Sequence, residues 1–281
     1  MTIDQMTNLK TYTESNRIAW NEVMPRHQQA AKAKWDQAFS QLGYACIDRS
    51  EQDALTRIGI VGKDVAHLCC NNGVELLSLK NLGANRCVGF DISDEAIKEA
   101  MERAARSHIA CRFVRLDVYE IGGEYAGQFD LVYITAGCVG WMPDLTRFFK
   151  QAAALLRPCG RVFIHEIHPV SEMLPFDSSE HAGQLKIIEP YCKHEPYIEC
   201  GGLDYVGQSQ YASTASNYWF AHTLSDIMMS LIRNGVAIEY FSEHAEDISA
   251  GHRLLEQANA GIPLSYLLIG KKAHTAQEND D

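Results

Sequence analysis

The chain has 281 residues, 46% of them apolar and 22% charged, which suits one large globular domain or a domain carrying a sizeable insertion. A net charge of -11 with no basic run excludes a large nucleic-acid footprint, because phosphate contacts need clustered Lys and Arg. No stretch approaches the ~18 consecutive apolar residues of a membrane span. The polar N-terminus also lacks a signal-peptide pattern, so a cytoplasmic protein is expected.

Taken in chain order, the spacing predicts a helix from about Asn16 to Gly43, broken or kinked at Pro25, and then a charged turn at "DRSEQD". A strand is expected over Asp64–Leu68, a helix over Val74–Leu82 and a strand over Arg86–Phe90. Ser93 reads as the N-cap of the next helix, which has acids in its first turn. Strands "CRFVRLD" and "FDLVYIT", helix "DLTRFFKQAAALLRPCG" and strand "RVFIHEI" complete an alternation that signifies a parallel sheet with helices on both faces. From Pro169 to about Tyr218 the rhythm fails. Prolines and a "GG" pair interrupt it, yet Phe176, Tyr191, Tyr197, Tyr205, Tyr211 and Tyr218 give the segment something to bury. Helix "HTLSDIMMSLIRNG" and strands "VAIEYFSEH" and "LSYLLIGKK" then restore it. The expected division is an N-terminal helical cap at 1–57, a core at 58–168 and 219–273, an inserted lid over an acceptor at 169–218 and a flexible tail at 274–281. The nine cysteines are scattered, without a C-x-x-C pair, which fits a reducing compartment better than a disulfide framework.

The stretch "VAHLCCNNGVELL" places a tight turn at the carboxyl end of the first strand, where open α/β sheets bind ligands. Backbone N–H groups at the start of the following helix can receive anionic or polar groups. The fingerprint G-x-G-x-x-G is absent, so the close approach of a pyrophosphate is disfavoured. Asp91, at the end of the second strand, is placed to accept both hydroxyls of a ribose. Asp117, at the end of the third, is placed to accept from an adenine amino group. Two acids at successive strand ends point to an adenosine without a second nucleotide.

These stretches, with "RLDVYEI" and "FDLVYITAGCVGWMPDLTRFFKQAAALLRPCGRVFIHEIHP", resemble in order and spacing the motifs of class I S-adenosylmethionine-dependent methyltransferases. The resemblance is strong from Lys63 to Pro169 and returns for the last helix and two strands. It implies a Rossmann-like, mostly parallel seven-stranded sheet with an antiparallel last strand. It also implies S-adenosyl-L-methionine as cofactor and S-adenosyl-L-homocysteine as product. In that family the first motif reads as an acid, one residue and three alternating glycines; here His67 takes the acid position, Cys69 and Asn71 take two glycine positions, and only Gly73 is kept. By the same resemblance Cys69, Cys70, Asn71, Asn72 and Gly73 line the methionine part of the cofactor. Asp91 holds the ribose with Ile92 beside the adenine, and Asp117 and Val118 bracket the adenine edge. Thr135 and Ala136 face the sulfonium. The N-terminal helix, with Tyr12, Trp20, Asn21 and His27, closes the other side, Trp20 against the cofactor.

The acceptor is narrowed by motifs that are missing. The N/D-P-P-Y/F turn of adenine-amino methyltransferases is replaced by "ITAGCVGW", and the Pro158-Cys159 pair lies in the turn before the fifth strand, far from where cytosine-C5 enzymes place theirs. A small-molecule acceptor is therefore expected, with no nucleic-acid or membrane partner. Alternation in "HEIHP" puts His165 and Ile167 on one face, Glu166 and His168 on the other. His165 and His168 are the candidate general bases, since imidazole titrates near neutrality. Trp141, His168, Tyr218 and His222 are the candidate acceptor contacts. "CKHEPYIEC" offers Cys192, His194 and Cys200, but no second Cys/His pair follows at ligand spacing, and no metal is expected. A methyl sulfonium is a strong electrophile, so direct in-line attack requires mainly positioning and exclusion of water. Two alternatives stay open: an NAD(P)-dependent oxidoreductase, and a protein that binds S-adenosylmethionine without turnover.

Overall fold

The computed structural model describes residues 3–201, 203 and 211–274, and only the backbone of 3–7. The elements run α1 (Ile3–Phe39), α2 (Arg49–Ile58), β1 (Val65–Leu68), α3 (Val74–Asn81), β2 (Cys87–Asp91), α4 (Asp94–Ser107), β3 (Arg112–Arg115), β4 (Phe129–Thr135), α5 (Leu145–Leu155), β5 (Leu156–Ile167), β6 (Tyr197–Gly201), β7 (Ala212–Trp219), α6 (Leu224–Arg233), β8 (Val236–His244), α7 (Arg253–Gln257) and β9 (Ser265–Lys272). Seven strands form one sheet in the order β3-β2-β1-β4-β5-β9-β8. Strands β1 to β5 pair in parallel, while β9 lies antiparallel between β5 and β8.

The period-two pattern of each strand explains why both sheet faces are covered. Ala66, Leu68, Val88, Phe90, Val132 and Ile134 turn to one face and bury against α5 and α6 residues such as Phe148, Phe149 and Leu231. Val65, Cys87, Leu131, Tyr133 and Phe163 turn to the other and meet Leu55, Leu76, Leu77 and Ala100. Ser93 caps α4 as its position predicts, accepting the Ala96 N–H at 3.1 Å. Thr223 and Asp226 cap α6 reciprocally.

Four stretches depart from the local reading. Pro25 does not break the first helix: α1 is continuous, because α4 and β7 pack along it and tertiary contact outweighs the one lost hydrogen bond. "DRSEQD" is not a turn. Asp48 accepts the Glu51 N–H at 2.8 Å and starts α2, whose Ala54 and Leu55 are buried and whose end is fixed by Gly59 at φ 72°. The interval after β5 contains the two-stranded β6–β7 hairpin, and α7 lies unforeseen before β9. Tyr205, most of the expected tail and one glycine of the "GG" pair lie outside the described residues.

The hairpin and α1 form a unit. β7 pairs with β6 through Asn217 and Trp219, while side chains of α1 occupy its opposite edge. Asn16 donates to the Tyr218 carbonyl at 3.0 Å and accepts the Tyr218 N–H at 2.7 Å. Ser15 donates to the Ser216 carbonyl at 2.6 Å, and Glu22 accepts the Thr214 N–H at 3.1 Å. An edge that would otherwise template pairing with another chain is thus satisfied by a helix.

Candidate active site

The parallel order sets the carboxyl ends of β3, β2, β1, β4 and β5 side by side, so residues distant in sequence lie along one rim. At the end of β1 the chain turns through Cys69 (φ 55°), Asn71 (φ 46°) and Gly73 (φ 78°). All three are left-handed, and they are the three positions where the resembling family carries glycine. The sequence lost two glycines while the backbone kept their shape. Asn visits this region at small cost and Cys at a larger one. Gly73 cannot be replaced in the same way, because a Cβ there would stand 2.7 Å from the Phe113 ring.

Two side chains hold the turn. Asp91 accepts the Asn71 N–H through Oδ2 and the Ser93 N–H through Oδ1, both at 2.8 Å. Burial pushes its carboxyl above the usual range, against the pull of those N–H groups. Arg103 is 1% exposed, pairs with Glu99 inside α4 and donates to the Asn72 carbonyl at 2.6 Å. It carried no signal in the sequence, where it reads as one more charge on an amphipathic helix. Asp117 accepts the Tyr119 N–H at 3.0 Å and is tied to Thr13 of α1; burial raises its pKa. At the end of β4, Thr135 is half-buried, Ala136 exposed, and Thr135 Oγ1 lies 3.2 Å from Nε2 of His67. Burial drives the His67 pKa down to about 3, so the imidazole at the family's acid position is neutral.

Helix α1 crosses this rim. Asn21 accepts from Ser93 Oγ at 2.7 Å and donates to Asp94 at 2.8 Å, which fixes the helix over the end of β2. Trp20 meets His27 edge-on at 6.2 Å and Trp141 at 5.5 Å. Trp20 is therefore brought to the loop after β4, next to Thr135 and Ala136 in sequence.

The acceptor-side residues divide. His165 lies under α2, with Nδ1 3.5 Å from carboxylate oxygens of both Asp48 and Glu51. Burial works against its charged form, but the Glu51 contact and the two carboxylates outweigh it and raise its pKa. These three side chains are the grouping among the described residues that has metal-ligand spacing. Cys192, His194 and Cys200 do not make one. His168 uses both ring nitrogens, Nε2 with Glu243 at 2.9 Å and Nδ1 accepting the Val170 N–H at 3.1 Å, and burial lowers its pKa. His222 Nε2 lies 2.8 Å from the Met142 carbonyl and borders an outer groove with Tyr12 and Asp144. Tyr218 packs on Tyr12 of α1 at 4.8 Å. The structure thus gives each candidate histidine a partner within the protein.

Glu166, unassigned by the sequence, does more at this rim than either histidine beside it. It is 3% exposed and accepts the N–H groups of Gly137, Val139 and Ile167 at 2.6, 2.9 and 2.8 Å. Burial pushes its carboxyl up to about 6 against those three donors. It therefore sets the conformation of the loop that carries Thr135, Ala136 and Trp141.

Fitted to an adenosyl ligand, the rim is suitable. The left-handed turn leaves the backbone unscreened, and each Asp91 oxygen accepts one internal N–H and keeps a second lone pair for a ribose hydroxyl. A parallel sheet with a left-handed turn at the end of its first strand and acids on adjacent strand ends has the layout in which open α/β sheets receive ligands.

Residues 65–160 match the family model of a methyltransferase domain. A ubiquinone biosynthesis O-methyltransferase from Xanthomonas euvesicatoria is 26% identical over 184 residues, 63% of this chain and 74% of the relative. One from Escherichia coli is 30% identical over 110 residues, 39% of this chain and 45% of the relative, so that match spans less than half of the relative's length. Among solved structures, an S-adenosylmethionine-dependent methyltransferase from Mesorhizobium loti superposes with a TM-score of 0.53 at 20% identity, covering 79% of this chain and 98% of that one. Geranyl diphosphate C-methyltransferase from Streptomyces coelicolor, solved with S-adenosyl-L-homocysteine, gives 0.54 at 11% identity, covering 80% and 79%. Residues 65–160 thus carry a methyltransferase domain, and the chain as a whole has the fold of the S-adenosylmethionine-dependent methyltransferases it superposes on. Among the described residues, no helix is long and apolar enough to cross a membrane.

Proposed function

We propose that this protein is a class I S-adenosylmethionine-dependent methyltransferase that transfers the methyl group of S-adenosylmethionine to a small-molecule acceptor bound beyond the end of β4, between the rim of the sheet and the unit formed by α1 and the β6–β7 hairpin. The observation that carries this reading is the hydrogen-bonded seam from Asn16 to Tyr218, which draws the inserted segment over the same rim as Asp91 and Thr135. S-adenosylmethionine supplies an activated methyl on sulfur. Asp117, Asp91 and the turn 69–73 hold its adenosine and methionine ends in that order along the rim, which leaves the methyl near Thr135 and Ala136. The hairpin acts as the lid and α1 as the cap, excluding water while an acceptor is positioned in line.

The names of the curated relatives, ubiquinone biosynthesis O-methyltransferases, and the geranyl diphosphate in a neighbour's title favour a small organic acceptor over a macromolecule. So does the net charge of -11. The nine free cysteines agree with a reducing cytoplasm. Titration calorimetry with S-adenosylmethionine, S-adenosylhomocysteine and NAD(P)H in parallel tests the core of the reading. Micromolar binding of the first two alone is expected, and binding of NAD(P)H alone would overturn it. A labelled-methyl screen of small acceptors against nucleic acid and protein follows.

A further inference from the structure

After β5 the chain enters a single 3-10 turn, Ser171–Met173, which carries Glu172. Its Oε2 accepts the indole N–H of Trp219 at 3.2 Å. Trp219 belongs to β7 and stands directly opposite Tyr197 of β6. Its ring lies so close over Gly140 that a Cβ there would be 2.2 Å from it, and it meets Trp141 edge-on at 5.0 Å. Trp141 in turn meets Trp20, so three partly exposed indoles run from α1 to Glu172. Asn217 shares the face of Trp219, two residues away along β7, and is 2% exposed. Its Nδ2 and the Tyr197 hydroxyl are cut off from water and have no hydrogen-bond partner among the described residues.

We propose that Glu172, Trp219, Tyr197 and Asn217, with Trp141, form the acceptor subsite, and that it takes a flat compound with an ionisable hydroxyl beside a further oxygen. Glu172 is the base that receives the hydroxyl proton. The inference rests on the methyltransferase reading and deepens it.

Position supports it first. Adenine-side, ribose and methionine contacts follow the strand ends β3, β2 and β1, so the next place along the rim is above β4 and β5. Glu172 follows β5 by five residues, and Trp219 rests on the loop that follows β4.

The donor inventory supports it second. Two unpaired polar atoms, one of them an obligate donor, call for acceptor oxygens on the ligand. A quaternary ammonium would satisfy the indole rings and Glu172 but leave Asn217 Nδ2 unpaired. Neutral indole walls suit a planar ring.

Burial also pushes the Glu172 carboxyl up to about 7, against the Trp219 N–H, which places it where a base works at neutral pH. The titratable groups facing it are Glu166 of β5 and Tyr197 of β6, whose hydroxyl burial keeps neutral; Lys193 stands 4.4 Å above the Tyr197 ring and pairs with Glu189 at 3.1 Å. In the step itself a lone pair of the acceptor oxygen forms the new O–C bond. The S–C bond breaks with its electrons left on sulfur, giving S-adenosylhomocysteine. The hydroxyl proton passes to Glu172 and then to water.

The test uses the full chain saturated with S-adenosylhomocysteine and the probe 4-methylcatechol, whose hydroxyls stay protonated at neutral pH, followed by titration calorimetry. Wild type is expected to bind it in preference to benzyltrimethylammonium, and Asn217→Ala to weaken that binding about fivefold. Glu172→Gln is expected to lower labelled-methyl transfer to the probe by about a hundredfold or more and to abolish the acid limb of the pH profile near neutrality. Its S-adenosylhomocysteine affinity should stay within about twofold of wild type, which also shows that it is folded. The Trp219 indole N–H resonance should shift with pH in wild type and not in Glu172→Gln. Preference for benzyltrimethylammonium, or unchanged transfer and pH profile in Glu172→Gln, would overturn the site. Failure of wild type to bind S-adenosylhomocysteine would instead overturn the methyltransferase reading beneath it.

Discussion

The two halves of the rim are built by different means. On the side proposed for the cofactor, from β3 to β4, the polar groups sit within a few residues of strand ends and bond mainly to backbone N–H groups. On the side proposed for the acceptor, beyond β5, the contacts span long stretches of chain: Glu172 to Trp219, Asn16 to Tyr218, Trp20 to Trp141. A local determinant can be replaced if the backbone shape survives, as Cys69 and Asn71 demonstrate. A long-range one depends on several segments meeting at once. The cofactor side should therefore tolerate changes of side chain that preserve φ, and the acceptor side should be sensitive to any change that loosens the seam.

Asp91→Ala would strain this comparison most. The substitution removes the proposed ribose acceptor and also leaves the Asn71 and Ser93 N–H groups without their partner. Calorimetry should show cofactor affinity down by about a hundredfold, roughly 3 kcal/mol, with a lower melting temperature as well. A fold left fully stable would mean that Asp91 does not organise the turn.

Gly73→Ala comes next. With φ 78° and a Cβ 2.7 Å from Phe113, it should cost about 2–3 kcal/mol in denaturant unfolding, and Phe113→Leu should restore part of that.

On the acceptor side, Glu172 has a raised pKa when folded, so the unfolded chain releases its proton more readily. Its protonated form favours folding below about pH 4.5, and that stability is lost as pH rises to about 7. Glu172→Gln, without ligand, should therefore be more stable than wild type at pH 8 by up to about 3 kcal/mol, and the difference should shrink toward pH 4.5. A pH-independent difference would show that Glu172 is charged and solvated throughout.

The smallest effect is expected for Cys69→Gly. Relief of a left-handed cysteine and the added entropy of glycine in the unfolded chain oppose each other, so stability should change by less than about 1 kcal/mol, with cofactor binding retained. A large loss would show that the thiol itself, rather than the backbone shape, matters at that position.

The alternation of strands and helices, the cap at Ser93, the turn at Gly73 and the acids at Asp91 and Asp117 were determined by the sequence alone. Each rests on local chemistry: a period of two or 3.6, a side chain reaching its own backbone, a strand end that is the next residue along. Tertiary structure decided the rest. It made "DRSEQD" a helix start, because Leu55 had a core to enter, and it carried α1 through Pro25 because two elements hold that helix. It spent His165 on Asp48 and Glu51 and His168 on Glu243, the two histidines that composition made the obvious bases. It gave the loop after β4 to Glu166, and set Glu172 against Trp219 from 47 residues away. A carboxylate in a proline-broken stretch has no period and no motif to announce it. Only the fold that desolvates it and brings an indole N–H to it can give it a chemical role.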